Sequence, residues 1–140
     1  MSRQIKNILT ILFFLICIGV INTAGQNIEL EIRGVNAFTF TLIVAVLLQV
    51  IFFIPSFLLK TEKYYDLVGS LTYTTTVSLA YFSVETKTMI DSIIYFYVMV
   101  WALRLGIYLF RRVRKDGKDI RFEKPKRHFF WFLQYWMGQA

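Results

Sequence analysis

Residues 36–59, NAFTFTLIVAVLLQVIFFIPSFLL, run for 24 positions without a charged side chain. At a rise of ~1.5 Å per residue this is enough helix to cross the ~30 Å hydrocarbon core of a bilayer. The composition decides for lipid. The chain is 56% hydrophobic and 18% charged, against about 45–50% and about 25% in ordinary soluble domains.

Three further apolar stretches share that character, at about 8–23, 66–84 and 90–110. An isolated strand such as YTTTVSLAY would leave its backbone groups unpaired in lipid, so helices are expected throughout. The expected fold is an all-α integral membrane protein forming a single membrane domain over residues 1–140. It has four transmembrane helices (8–23, 36–59, 66–84, 90–110), a basic loop over 111–127, and an aromatic segment over 128–139. Pro55 is placed to kink the end of the second helix. The first helix also fits the grammar of a cleaved leader loosely, but Asn22 is not the small residue expected three positions before a cut after Ala24, so a retained helix is expected.

Charge supplies direction. Arg3 and Lys6 precede the first helix, and Lys60 and Lys63 follow the second. The run RRVRKDGKDIRFEKPKR, after the fourth, holds nine Lys or Arg against three acids. The basic segments therefore fall at alternate connections and share one side, which places both termini in the cytoplasm of a multi-pass protein. A bacterial inner membrane and the endoplasmic reticulum fit this rule equally. The formal net charge of +7 is concentrated in that run. Its place directly after a membrane helix points to anionic lipid headgroups as partners, with a phosphate-bearing ligand as the alternative. Phe122 is its one aromatic residue and it holds no RNA-module motif, which argues against nucleic acid. Gly117 in KDGKD is a helix-stop signal. Cys17 is a lone cysteine and His128 a lone histidine, so neither a disulfide within the chain nor a histidine-rich metal site is expected. The segment HFFWFLQYWMGQA has too short an apolar core to span. It reads as an interfacial helix or as the start of a truncated fifth one.

Two ionisable residues stand out, Asp66 in EKYYDLVGSLTY and Arg104 in WALRLGIYLF. A charge within a membrane segment is costly unless paired or solvated, so each marks a candidate site. Asp66, Ser70, Tyr73, Val77 and Tyr81 share one helical stripe, and Tyr97, Trp101, Arg104 and Tyr108 share another. The two stripes could face one another, pairing Asp66 with Arg104 in an aromatic cleft. The spacing equally allows a structural role. Asp66 could cap its helix, Arg104 could snorkel to lipid phosphates, and Gly69, Ser70, Thr72 and Thr76 could be close-packing residues.

EKYYDLVGSLTY, WALRLGIYLFRRVRKDGKDIRF and FFWFLQ, in this order and spacing, resemble the bacterial uncharacterised branch of the steroid 5α-reductase-like membrane proteins. The motifs D-x-x-G-S-x-T-Y, W-x-x-R-L-G and G-K-D-x-R-F carry the likeness over residues 62–134; the first two helices match in hydropathy only. The resemblance implies a polytopic protein that reduces a carbon–carbon double bond conjugated to a carbonyl, with NADPH as cofactor and a hydrophobic lipid or steroid-like small molecule as substrate. It implies Asp66 as an acid beside the substrate carbonyl, with Tyr73, Trp101 and Arg104 shaping the substrate site. At the position of Trp101 the reductases typically carry a tyrosine. Lys118 and Arg121 become phosphate contacts of the cofactor, and no metal is implied. The R-H-P-N-Y-type motif of the reductases' cofactor half does not occur in these residues. The expectation is therefore the N-terminal half of such a reductase, inactive alone. The alternative is a non-enzymatic four-helix membrane protein with a structural Asp66–Arg104 pair.

Overall fold

The computed structural model describes residues 3–27, 29–117 and 119–140, Arg3 by its backbone only. Five α-helices follow in order: α1 (Arg3–Gly25), α2 (Ala37–Leu58), α3 (Tyr65–Ser83), α4 (Met89–Asp116) and α5 (Phe129–Met137). A two-stranded antiparallel hairpin, β1 (Glu31–Ile32) and β2 (Val35–Asn36), joins α1 to α2. Arg33 and Gly34 turn it with φ of 54° and 78°, the pair of positive φ angles that a tight two-residue hairpin turn requires.

Three helices, within Gln4–Gly25, Ala37–Leu58 and Met89–Asp116, are long and apolar enough to cross a membrane. α3 is less apolar because Thr72, Thr74, Thr76, Ser70, Ser78 and Ser83 interrupt it, so the membrane-like character of the fold rests on three helices where the sequence suggested four. α4 also exceeds its expected end at 110 and continues to Asp116, where Gly117 takes φ 76° and stops it. An Arg/Lys-rich run is a good helix former in water, and only glycine enters the left-handed region without strain.

Local chemistry explains the helix ends. The Asn36 side chain accepts from the backbone N–H groups of Phe38 and Thr39, opening α2. Thr88 and Asp91 form a reciprocal capping box at the start of α4. After α2, Lys60 N–H donates to Phe57 C=O and Thr61 N–H to Ser56 C=O, with Lys60 at φ 50°. This Schellman closure reverses the chain within a few residues and delivers Glu62 and Asp66 to one end of the bundle.

Polar contacts tie the helices where apolar contact alone would slide. Asn22 and Gln26 of α1 bracket Thr39 of α2: the Thr39 hydroxyl donates to Asn22 Oδ1 at 2.8 Å and accepts from Gln26 Nε2 at 2.9 Å. Fully buried Gln49 of α2 donates to Thr72 Oγ1 of α3 at 3.1 Å. α3 and α4 form an antiparallel pair in which Ser70 Oγ donates to Ala102 C=O at 2.7 Å. A Cβ at Gly106 would collide with Ser70, so these helices touch most closely there.

The aromatic segment is where the fold departs most from expectation. α5 is nine residues long, too short to span. It packs against α1 and α2, and Phe132 and Trp136 are completely buried with Phe53, Val68 and Phe122. Tyr65 stands edge-on to Trp136 with ring centroids 5.3 Å apart, and its hydroxyl donates to Tyr135 C=O at 2.9 Å. α5 is thus the centre of the core, because every third or fourth ring turns inward while Phe129 and Phe130 stay exposed. Trp136→Ala should cost about 3–5 kcal/mol in folded stability. Phe129→Ala, at a half-exposed ring, should cost about 1 kcal/mol. Chemical denaturation in detergent measures both, and equal costs would contradict the inward face assigned to α5.

Candidate functional site

Six charged side chains gather at the end of the bundle where α2 hands over to α3 and α4 terminates. Glu62 comes from the α2–α3 connection, Asp66 from the first turn of α3, and Arg112 from the last turns of α4. Asp119 and Arg121 come from the 3₁₀ turn Ile120–Phe122, and Lys126 from the next 3₁₀ turn, Pro125–Arg127. Three are acids and three are bases.

Asp119 is the hub. Its carboxylate accepts from Arg121 Nη2 at 2.6 Å, from Arg121 Nε at 3.0 Å and from the Arg121 backbone N–H at 3.0 Å. It also accepts from Arg112 Nη2 at 3.4 Å. Its own N–H donates to Glu62 Oε1 at 3.1 Å, and the other Glu62 oxygen accepts from Lys126 Nζ at 2.7 Å. Asp66 Oδ2 accepts from Arg121 Nη2 at 3.3 Å and lies 3.9 Å from Arg112 Nη2. The Arg121 hydrogen bonds hold the Asp119 carboxyl below the usual carboxylate range, and Asp119 in turn raises the Arg121 guanidinium. A carboxyl shifted downward on folding contributes stability above its ordinary pKa of ~3.9 and loses it as pH falls through the folded value.

The expected pairing of Asp66 with Arg104 does not form. Ala102, Gly106 and Val113 are the buried residues of α4, and at about 100° per residue they lie within about 40° of each other. Arg104 falls about 160–200° round from them, on the outer face. Asp66 is not a helix cap either: the cap position of α3 is Tyr64, without a side-chain hydrogen bond, and Asp66 sits in the first turn. The α3 stripe does face α4, since Tyr73 meets Trp101 edge-on at 5.5 Å. The close contact of Ser70 with Gly106 lies between that pair and Asp66, however, and Tyr97 and Tyr108 project outward at 68% and 63% exposure. Among the proposed site residues, Asp66 and Arg121 are brought together, Tyr73 and Trp101 are brought together, and Arg104 stands apart. Lys118 lies outside the described residues. Glu62, Arg112, Asp119 and Lys126 were missed. The available signal was D-x-R in DIR, an acid two residues before an arginine, able to cap a turn and grip the same arginine.

The described residues contain no group of His, Cys, Asp and Glu suited to a metal ion. Membrane-length helices around a charge-balanced cluster at one bundle end define a helical membrane-type protein. Residues 52–140 match the model of the family described as Protein of unknown function (DUF1295), and the chain belongs to that family, which is associated with steroid 5α-reductase-like proteins. No match was found among curated proteins or among solved structures.

Since Asp66 and Arg121 meet at 3.3 Å, Asp66→Asn and Arg121→Gln should each lower thermal stability, and the double variant should lose less than the sum. Arg121 is half exposed, so screening limits the coupling to about 1 kcal/mol. The pair Asp66→Asn with Arg104→Gln should be additive within about 0.5 kcal/mol. Coupling to Arg104 and none to Arg121, in a double-mutant cycle, would reverse the assignment.

Proposed function

We propose that these residues form the membrane-embedded, substrate-side module of a reductase for hydrophobic conjugated enones. The observation that supports this most is family membership over a region that includes Asp66, a carboxylate held at the junction of α3 with the polar end of the bundle. In this reading a lipid or steroid-like enone reaches the module from the bilayer. Tyr73 and Trp101 offer it an aromatic edge, and Asp66 is the candidate acid for its carbonyl oxygen.

NADPH would supply the hydride in such a reaction, but the residues described do not fit it. Arg121, the expected phosphate contact, already directs its guanidinium at Asp119 and Asp66. A phosphate would have to displace two carboxylates to bind there. No glycine-rich dinucleotide loop offers a substitute. The module by itself therefore has no reductase turnover.

In this proposal α3 is the fourth span, and both termini are cytoplasmic. Its 19 residues cover about 28 Å. Most of its hydroxyls find partners on α3 itself or on α4, as a helix in lipid requires. Thr72 Oγ1 donates to Val68 C=O, Thr76 to Thr72 C=O and Ser83 to Leu79 C=O, while Ser78 meets the Tyr95 hydroxyl on α4. The membrane lipids are its surroundings and the basic segment after α4 faces the cytoplasm.

A second reading is favoured by one specific observation. Asp66 is held by two arginines, which is the setting of a structural ion network in a non-enzymatic membrane protein. Titrating the detergent-solubilised chain with a steroid enone, followed by tryptophan fluorescence, separates the two. The reductase reading predicts saturable enone binding, weakened on the order of tenfold by Asp66→Asn, with no NADPH oxidation. A folded chain that shows no saturable enone binding leaves the structural reading.

A further inference from the structure

The outer face of α4 carries a groove of about 790 Å³ lined by Arg104, Tyr108, Arg111, Arg112, Lys115 and Asp116 over an apolar floor that includes Leu105 and Ile107. Arg104, Tyr108, Arg111 and Lys115 follow at steps of four, three and four, so they form a single stripe along the helix. That stripe lies opposite the packed face of Ala102, Gly106 and Val113. It therefore faces away from the rest of the protein.

Most of the charges along this groove are not spent in ion pairs among the described residues. Arg112, at its edge, turns back to Asp66 and Asp119. Arg104, Arg111 and Lys115 make no ion pair among the described residues. Asp116, at the far end, leaves an excess of positive charge along the stripe.

Position selects the kind of anion. α4 has 28 residues, about 42 Å of helix against ~30 Å of hydrocarbon, so its last turns stand in the headgroup layer. Arg111 and Lys115 are in those turns. Arg104 is seven residues deeper, about 10 Å along the axis, on a surface that only acyl chains can cover. A guanidinium there has to reach up its own helix toward phosphate. A water-borne anion would meet Arg111 and Lys115 but would leave Arg104 uncompensated. A phospholipid meets all three, with its phosphate between the cations and its upper acyl chains against Leu105, Ile107 and Tyr108.

We infer that the outer face of α4 is a binding site for one anionic phospholipid, with Arg104, Arg111 and Lys115 as its phosphate ligands. This rests on α4 crossing the membrane, not on the enone chemistry. The test uses the full chain reconstituted in phosphatidylcholine bilayers containing a small fraction of spin-labelled phosphatidylglycerol or, separately, spin-labelled phosphatidylcholine. The motionally restricted lipid signal should favour phosphatidylglycerol on the order of tenfold. The variant Arg104→Gln/Arg111→Gln/Lys115→Gln should bring the ratio close to one, whereas Arg104→Lys/Arg111→Lys should keep most of the preference. Gln at three outward-facing positions removes no packed atom, and unchanged circular dichroism verifies the fold. A preference unaffected by the triple substitution would overturn the site and move it to the 3₁₀ turns. Loss of the preference on adding inorganic phosphate, beyond the loss with chloride at the same ionic strength, would mean a soluble phosphate ligand and would also overturn it. A chain that does not insert into bilayers would overturn the membrane reading and this site together.

Discussion

The Asp119 carboxylate, gripped by Arg121 and leaned on by Arg112, is the interaction on which the rest of this end of the molecule depends. It makes a basic stretch of chain foldable. The segment after α4 would repel itself if its cations had no partners within the fold. Asp119 supplies one countercharge from inside the segment, Glu62 a second from the α2–α3 connection and Asp66 a third from α3. Three acids answer three bases within one contiguous cluster, so the segment lies down on the bundle instead of extending into solvent. The side chains of Glu62 and Asp119 are nearly closed to water, at 3% and 7% exposure. Charges so buried are tolerated only when each is matched and hydrogen-bonded.

Laying that segment down brings an apolar surface into place. Arg121 is followed by Phe122, which is 1% exposed and packs at a tilt against Tyr65 with ring centroids 4.6 Å apart. Tyr65 precedes Asp66 on α3, so the ionic contact and the aromatic contact are made by adjacent residues of the same two elements. Phe122 then leads through the second 3₁₀ turn into α5, whose Phe132 and Trp136 fill the space beside Phe53. A polar clamp thereby sets the position of an aromatic core. The outward face of α4 is left free by the same arrangement, because only Arg112 is turned toward the clamp.

Much of the frame was legible in the sequence. Apolar length located α1, α2 and α4, since that depends on local composition, but it ended α4 at 110, whereas the stop signal at Gly117 is where the helix closes. α3 was read as equivalent to the others, yet its many hydroxyls set it apart. What could not be read from spacing was which stripe of α4 faces inward. The stripe containing Arg104 attracted attention because it holds chemistry, whereas the small residues Ala102 and Gly106 mark the packed face. The basic run reads as one loop directed at anionic headgroups. Its own Asp119 and the distant Glu62 offset part of its charge, and a pairing across 57 positions leaves no local trace. The aromatic segment was judged by length against a bilayer, and length does not disclose that a short helix can be a core.

The central claim is that residues 119–128 are folded against the bundle by this network. Hydrogen–deuterium exchange on the chain in lipid nanodiscs addresses it directly. The N–H groups of Asp119, Arg121, Phe122 and His128 are all hydrogen-bonded, to Glu62, the Asp119 side chain, Asp119 C=O and Pro125 C=O. They should exchange on the order of a hundredfold or more slowly than a free peptide, as groups requiring local unfolding do, and Glu62→Gln should release the Asp119 and His128 amides first. Exchange of all four at free-peptide rates in the unaltered protein would contradict the account.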